Sequence, residues 1–88
     1  MREQERKVLE KAINTVKIMI DSEIKEEYAD TKYCMMYLED TINSLIGYAS
    51  IQCRFAGMDT EDLYEFIKTV TEFKNLMYDK IINAKKDL

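Results

Sequence analysis

The sequence predicts an all-α fold: a three-helix bundle, or an antiparallel helical hairpin carrying a third helix, expected to dimerise. Proline is absent and glycine occurs only at 47 and 57, so long helices meet few breakers. The segment Met58-Asp59-Thr60-Glu61-Asp62-Leu63 has the signature of a helix start. An apolar stripe follows at Leu63, Ile67, Val70, Met77, Ile81, Ala84 and Leu88, in alternating steps of four and three interrupted at Lys74. The composition, 47% hydrophobic and 34% charged, is that of a folded domain rather than a disordered tail.

The first helix is expected over about residues 3–28. Leu9, Ala12, Ile13, Val16, Met19, Ile20 and Ile24 form one stripe, with Lys7, Glu10, Lys11, Lys17 and Glu23 on the other side. Asp21-Ser22 offers a second cap, so the spacing allows a kink there. The second helix is expected over 31–56 with Asp30 as N-cap. One of its stripes holds Cys34, Leu38, Ile42, Leu45, Ala49, Cys53 and Ala56. A second, adjoining stripe holds Tyr33, Tyr37, Tyr48, Ile51 and Phe55. Apolar over most of its circumference, this helix is expected to be the central element, buried on more than one side. Residues 49–55 also alternate apolar and polar, which is a strand pattern. Helix is preferred, because a lone strand would leave its backbone unpaired. Gly57 then stops the second helix, and Asp59 caps a third over about 60–86. Glu61, Asp62 and Glu65 suit the amino-terminal end of its dipole, and Lys80, Lys85 and Lys86 the opposite end.

Eighty-eight residues make one domain, residues 1–88, and a domain of this size buries only about 60 to 65 per cent of its unfolded surface. Self-association would widen that thin margin. The net charge of −4 gives no basic footprint for a phosphate backbone, so direct nucleic-acid binding is disfavoured. No apolar run reaches the ~18 to 20 residues of a bilayer span, and the amino terminus lacks the apolar segment of a secretory signal. A cytoplasmic, membrane-free protein is expected. Cys34 and Cys53 on one helix would stand roughly 28 Å apart, beyond disulfide reach, so two free thiols are expected. The excess of Lys over Arg, with abundant Ile, Tyr, Glu and Asp, matches the bias of low-GC bacterial and phage genomes.

Histidine is absent, which removes the commonest general base and the commonest zinc ligand together. There is no glycine-rich phosphate loop, no serine nucleophile motif and no paired-cysteine redox motif. The remaining catalytic idea uses carboxylates and a hard cation. Glu23, Glu26, Glu27 and Asp30 can share one side of a helix, and Glu39 and Asp40 follow on the next. The segment Glu26-Glu27-Tyr28-Ala29-Asp30, with the later run from Asp40 to Gly57-Met58-Asp59, resembles the all-α nucleotide pyrophosphatases of the MazG type over about half the chain. The resemblance implies a magnesium site built from a Glu-x-x-Glu pair and a later Glu-x-x-Asp pair. Glu23 and Glu26 match the first pair. The second falls on Tyr37 and Asp40, with tyrosine in place of glutamate, or on Glu27 and Asp30, which overlap the first. The motif is therefore incomplete, and the main reading assigns no enzyme activity, no catalytic residue, no metal ligand and no cofactor.

Tyrosine and methionine give a second line of inference. The stripe with Tyr33, Tyr37, Tyr48, Ile51 and Phe55 combines large contact area with an adaptable fit, and one three-helix monomer cannot bury all of it. These residues, with Asp59, Glu61 and Asp62, are the candidate partner-binding set. The expectation is a small acidic interaction module, a homodimer, that docks on a partner protein with a basic surface. A regulator, an adaptor, or an inhibitor from a phage or mobile element would fit it.

Overall fold

A computed structural model describes residues 1–86, with side chains through Ala84. It holds three helices in up-down-up order, α1 (Glu3–Ile24), α2 (Thr31–Phe55) and α3 (Thr60–Lys86), and no strand among the described residues. Every pair of helices is in contact, so the architecture is a three-helix bundle, 46 × 17 × 16 Å along its principal axes. Residues 49–55 are helical. Their apolar alternation is the edge between the core face of α2 and its outer face.

Helix α1 runs unbroken through Asp21-Ser22 and stops at Ile24, four residues before the expected end. Lys25, Glu26, Glu27 and Tyr28 are all exposed, so further turns would bury no apolar surface to offset their ordering. The chain instead reverses direction, held by the Asp30 backbone N–H donating to Glu23 Oε1 at 3.1 Å. Leu9, Val16 and Ile20 are buried, and Ala12, Ile13, Met19 and Ile24 pack beside them, which is the expected stripe.

Helix α2 starts where the sequence places it. Tyr33 N–H donates to Asp30 Oδ1 at 2.9 Å, satisfying one of the free first-turn amides. Cys34, Leu38, Ile42, Leu45 and Ala49 are buried, Cys53 is half-buried, and Ala56 is exposed. The helix is not covered on all sides. Tyr33, Met36, Ile51 and Phe55 are exposed, because two neighbouring helices can cover only the core face of α2 and its two flanks.

The turn into α3 depends on Gly57, whose φ of 74° lies in the left-handed region. The N–H groups of Ala56 and Met58 converge on the Gln52 carbonyl, and Met58 inserts into the core. Asp59 Oδ1 then accepts from Asp62 N–H at 2.9 Å as the α3 cap. The core stripe of α3 keeps Val70, Met77 and Ile81 of the expected one and replaces its other described residues. Phe66, Val70, Phe73, Met77 and Ile81 are buried, whereas Leu63, Ile67, Lys74 and Ala84 flank them, half-buried. Phe73 fills the row that the expected stripe gave to Lys74, and Lys74 Nζ lies 5.8 Å from the centre of the Tyr78 ring. Leu88 and the side chains of Lys85 and Lys86 fall outside the described residues. No helix among the described residues is long and apolar enough to cross a membrane.

Candidate functional site

The eight candidate residues divide into three environments. Tyr33, Ile51 and Phe55 lie on the outward face of α2, 51%, 56% and 82% exposed, and Met36, 64% exposed, stands at its edge, where it also lines the groove between α2 and α3. Tyr37 and Tyr48 turn inward and are half-buried against the core. Tyr37 lines a groove of about 360 Å³ between α1 and α2, and its ring centre is 6.2 Å from that of Tyr33. The Tyr48 ring is 6.0 Å from that of Phe66. Burial pushes the Tyr48 hydroxyl up from its ordinary value, and the nearby Glu5 charge adds to the effect.

Asp59, Glu61 and Asp62 lie across the Gly57 turn from Phe55, so the apolar end of α2 and the acidic start of α3 occupy the same end of the bundle. Asp59 and Glu61 are exposed, although one Asp59 oxygen serves the cap. Asp62 is half-buried, 3.5 Å from the Met1 α-ammonium, which also donates to Glu65 at 2.9 Å. The Glu65 hydrogen bond is the main cause that raises the α-ammonium pKa above its ordinary value.

Sequence reasoning missed the polar knot beneath this end. Glu5 has no exposed surface, yet its carboxylate is fully paired: Arg2 holds both oxygens with Nε and Nη2, and Gln4 donates at 3.3 Å. Arg2 Nη1 also reaches the Ala56 carbonyl, fastening the start of α1 to the α2–α3 turn. The Arg2 hydrogen bonds hold the Glu5 carboxyl below its ordinary range, overcoming the opposing effect of burial. The i,i+3 spacing of Arg2 and Glu5 was visible in the sequence. The convergence of Ala56 on that pair was not.

The opposite acidic group does not assemble. Among the described residues no three Asp, Glu or Cys side chains are close enough to hold a cation together, so Glu23, Glu26 and Asp40 form no ligand set. Glu23 is engaged with the Asp30 backbone instead. Between α2 and α3 runs a groove of about 470 Å³ beside Met35, Met36 and Ile82, continued by a second of about 250 Å³ beside Ile46 and Tyr78. In the second, Tyr78 Oη donates to Glu39 at 3.3 Å. Both thiols are free; Cys34 is buried, which raises its pKa, and Cys53 is half-buried. No polar side-chain atom buried among the described residues lacks a partner, so none is left aimed at a missing ligand. Compared with known proteins, the chain matches no family model, no curated protein and no solved structure.

Proposed function

We propose that this chain is a small acidic interaction module that acts by docking, through the outward face of α2 and the acidic start of α3, on a partner protein with a basic surface. The carrying observation is the exposure of Tyr33, Met36, Ile51 and Phe55 together on one helix of a bundle whose core is already filled. Single exposed apolar residues are ordinary, but here they come in two pairs, Tyr33 with Met36 and Ile51 with Phe55, at the two ends of one helix face. Phe55 and Ile51 supply the dry contact, and Asp59, Glu61 and Asp62 beside them favour a cationic rim and speed encounter. The mechanism is steric: occupancy of the partner's surface, with no bond made or broken. The module works as a homodimer, in the cytoplasm, without direct contact to nucleic acid.

The test is comparative capture. Parent protein, Ile51→Glu/Phe55→Glu and Asp59→Lys/Glu61→Lys are immobilised at equal density and exposed to one native lysate. One prey protein retained by the parent and lost with both variants is the expected result. A prey set identical across all three removes these residues from the docking surface.

A further inference from the structure

The inward line of α1 carries a charge where a helix bundle ordinarily places an apolar side chain. Its buried positions are Glu5, Leu9, Val16 and Ile20, in helical steps, and the first of them is a carboxylate. Met1 and Val8 pack against the core while half-buried. The start of α1 is therefore held largely by hydrogen bonds and charge. A buried ion pair adds little stability, because desolvation offsets most of its attraction, and an apolar pair of similar volume often does as well or better. What such a pair imposes is an all-or-none response: removing either partner strands the other charge away from water.

Arg2 carries that response across the end of the bundle. Its Nε and Nη2 hold the two Glu5 oxygens, and Nη1 donates to the Ala56 carbonyl at the end of α2. The guanidinium thus lies over the α2–α3 turn, where Nη1 stands 3.7 Å from a Cβ placed on Gly57. The turn's own backbone hydrogen bonds are local, since the Ala56 and Met58 N–H groups both return to the Gln52 carbonyl and Asp59 caps its own helix. Its apolar anchor is Met58, buried in the core.

These ties move together. If Arg2 leaves the turn, Glu5 loses the guanidinium and must go out to water, taking the first turns of α1 with it. If the turn rotates away, the Ala56 carbonyl is withdrawn from Nη1. The opposite end of the bundle is fastened differently, by Glu23 to the Asp30 backbone and by Lys80 to Asp21 at 3.3 Å, all at least partly exposed. Breaking those bonds strands no buried charge.

We infer that Arg2 is a strap across the α2–α3 turn, and that the Arg2–Glu5 pair makes the start of α1 and that turn open and close as one unit, ahead of the rest of the bundle. Opening draws Met58 out of the core beside Phe55 and the acidic start of α3. If those residues dock on a partner, the strap decides whether the surface they form is closed or open. That consequence rests on the docking reading; the strap itself does not.

Native-state hydrogen exchange of the full chain, read amide by amide below the unfolding midpoint in urea, tests the strap without a partner. In the parent, the amides of residues 6–9 and those of Ala56 and Met58 are expected to share one opening equilibrium, reached more easily than that of the Val16, Leu38 and Met77 amides. Arg2→Met keeps an apolar stem and removes the guanidinium. It is expected to speed exchange in both segments on the order of 10- to 100-fold, the usual effect of losing a hydrogen bond to a charged group, and to leave the Tyr33 and Cys34 amides at the other end unchanged. Arg2→Met/Glu5→Leu removes both charges. It is expected to return residues 6–9 to parental protection while Ala56 and Met58 stay fast, because the turn has still lost its strap. Equal acceleration at Tyr33 and Cys34 overturns the proposal, since the pair then adds only to global stability. Acceleration confined to residues 6–9 reduces the pair to a local helix contact and overturns the strap. Should Arg2→Met fail to fold, the parent and the double variant decide, and separate openings of the two segments in the parent overturn the coupling. A shared opening in a protein that captures no partner supports the strap and removes the docking reading.

Discussion

A carboxylate with no exposed surface stays ionised only when hydrogen bonds and opposite charge replace its lost water, and at Glu5 that replacement comes from Arg2 and Gln4. Because the folded pKa of Glu5 lies below its ordinary value of 4.5, the pair's stabilisation is fully present above that value and is lost as pH falls through the folded one. Arg2→Leu is expected to lower the urea midpoint at neutral pH, and the gap to the parent to shrink on acidification as Glu5 takes up a proton. Urea titrations of both proteins at neutral and acid pH check the sign, and a gap that widens in acid contradicts it. The thiols give a second check at this scale. Cys53 is expected to react quickly with an aromatic disulfide reagent under native conditions, and buried Cys34 only as fast as the bundle opens. Nothing local to Glu5 signals its burial, because that burial depends on α1 meeting a turn more than fifty residues away.

Each element was legible where its signal is local. Both capping aspartates, Asp30 and Asp59, accept the amide three residues on, and Gly57 takes the positive φ expected of a helix stop. Asp59→Ala is expected to cost about 1 kcal/mol in chemical denaturation, the usual value of a lost N-cap. The stripe of α3 was read correctly at Val70, Met77 and Ile81, but Phe66 and Phe73 hold the core where Leu63, Ile67 and Lys74 were expected. A run with apolar residues at Leu63, Phe66, Ile67, Val70, Phe73, Met77 and Ile81 covers a broad arc, and helical spacing alone does not say which line of that arc faces inward. The core took the aromatic line, because Phe66 and Phe73 fill more of the space between three helices than Leu63 and Ile67. Phe66→Ala is therefore expected to cost about 3–5 kcal/mol, and Leu63→Ala, half-buried on the flank, clearly less. Equal losses would mean that the two residues share the core.

For the molecule as a whole, 88 residues correspond to a folding free energy of about 4–13 kcal/mol, so the loss of one core phenylalanine removes a large share. A dimeric bundle is also expected to melt at a temperature that rises with protein concentration, because mass action favours the associated state. Calorimetric scans over a wide concentration range decide this, and a constant midpoint contradicts the proposed homodimer. The sequence by itself determined the helical class, the three segments, their caps and the core line of α1 and α2, since these follow from propensity, spacing and backbone hydrogen bonding within a few residues. It also determined the absence of histidine and of phosphate-loop chemistry. Only the tertiary structure decided that α1 stops at Ile24, that Phe66 and Phe73 lead the core of α3, that Glu5 is buried against Arg2, and that Tyr37 and Tyr48 turn inward while Tyr33, Ile51 and Phe55 face out. Those outcomes depend on which faces the three helices present to one another, and packing, not local spacing, sets that choice.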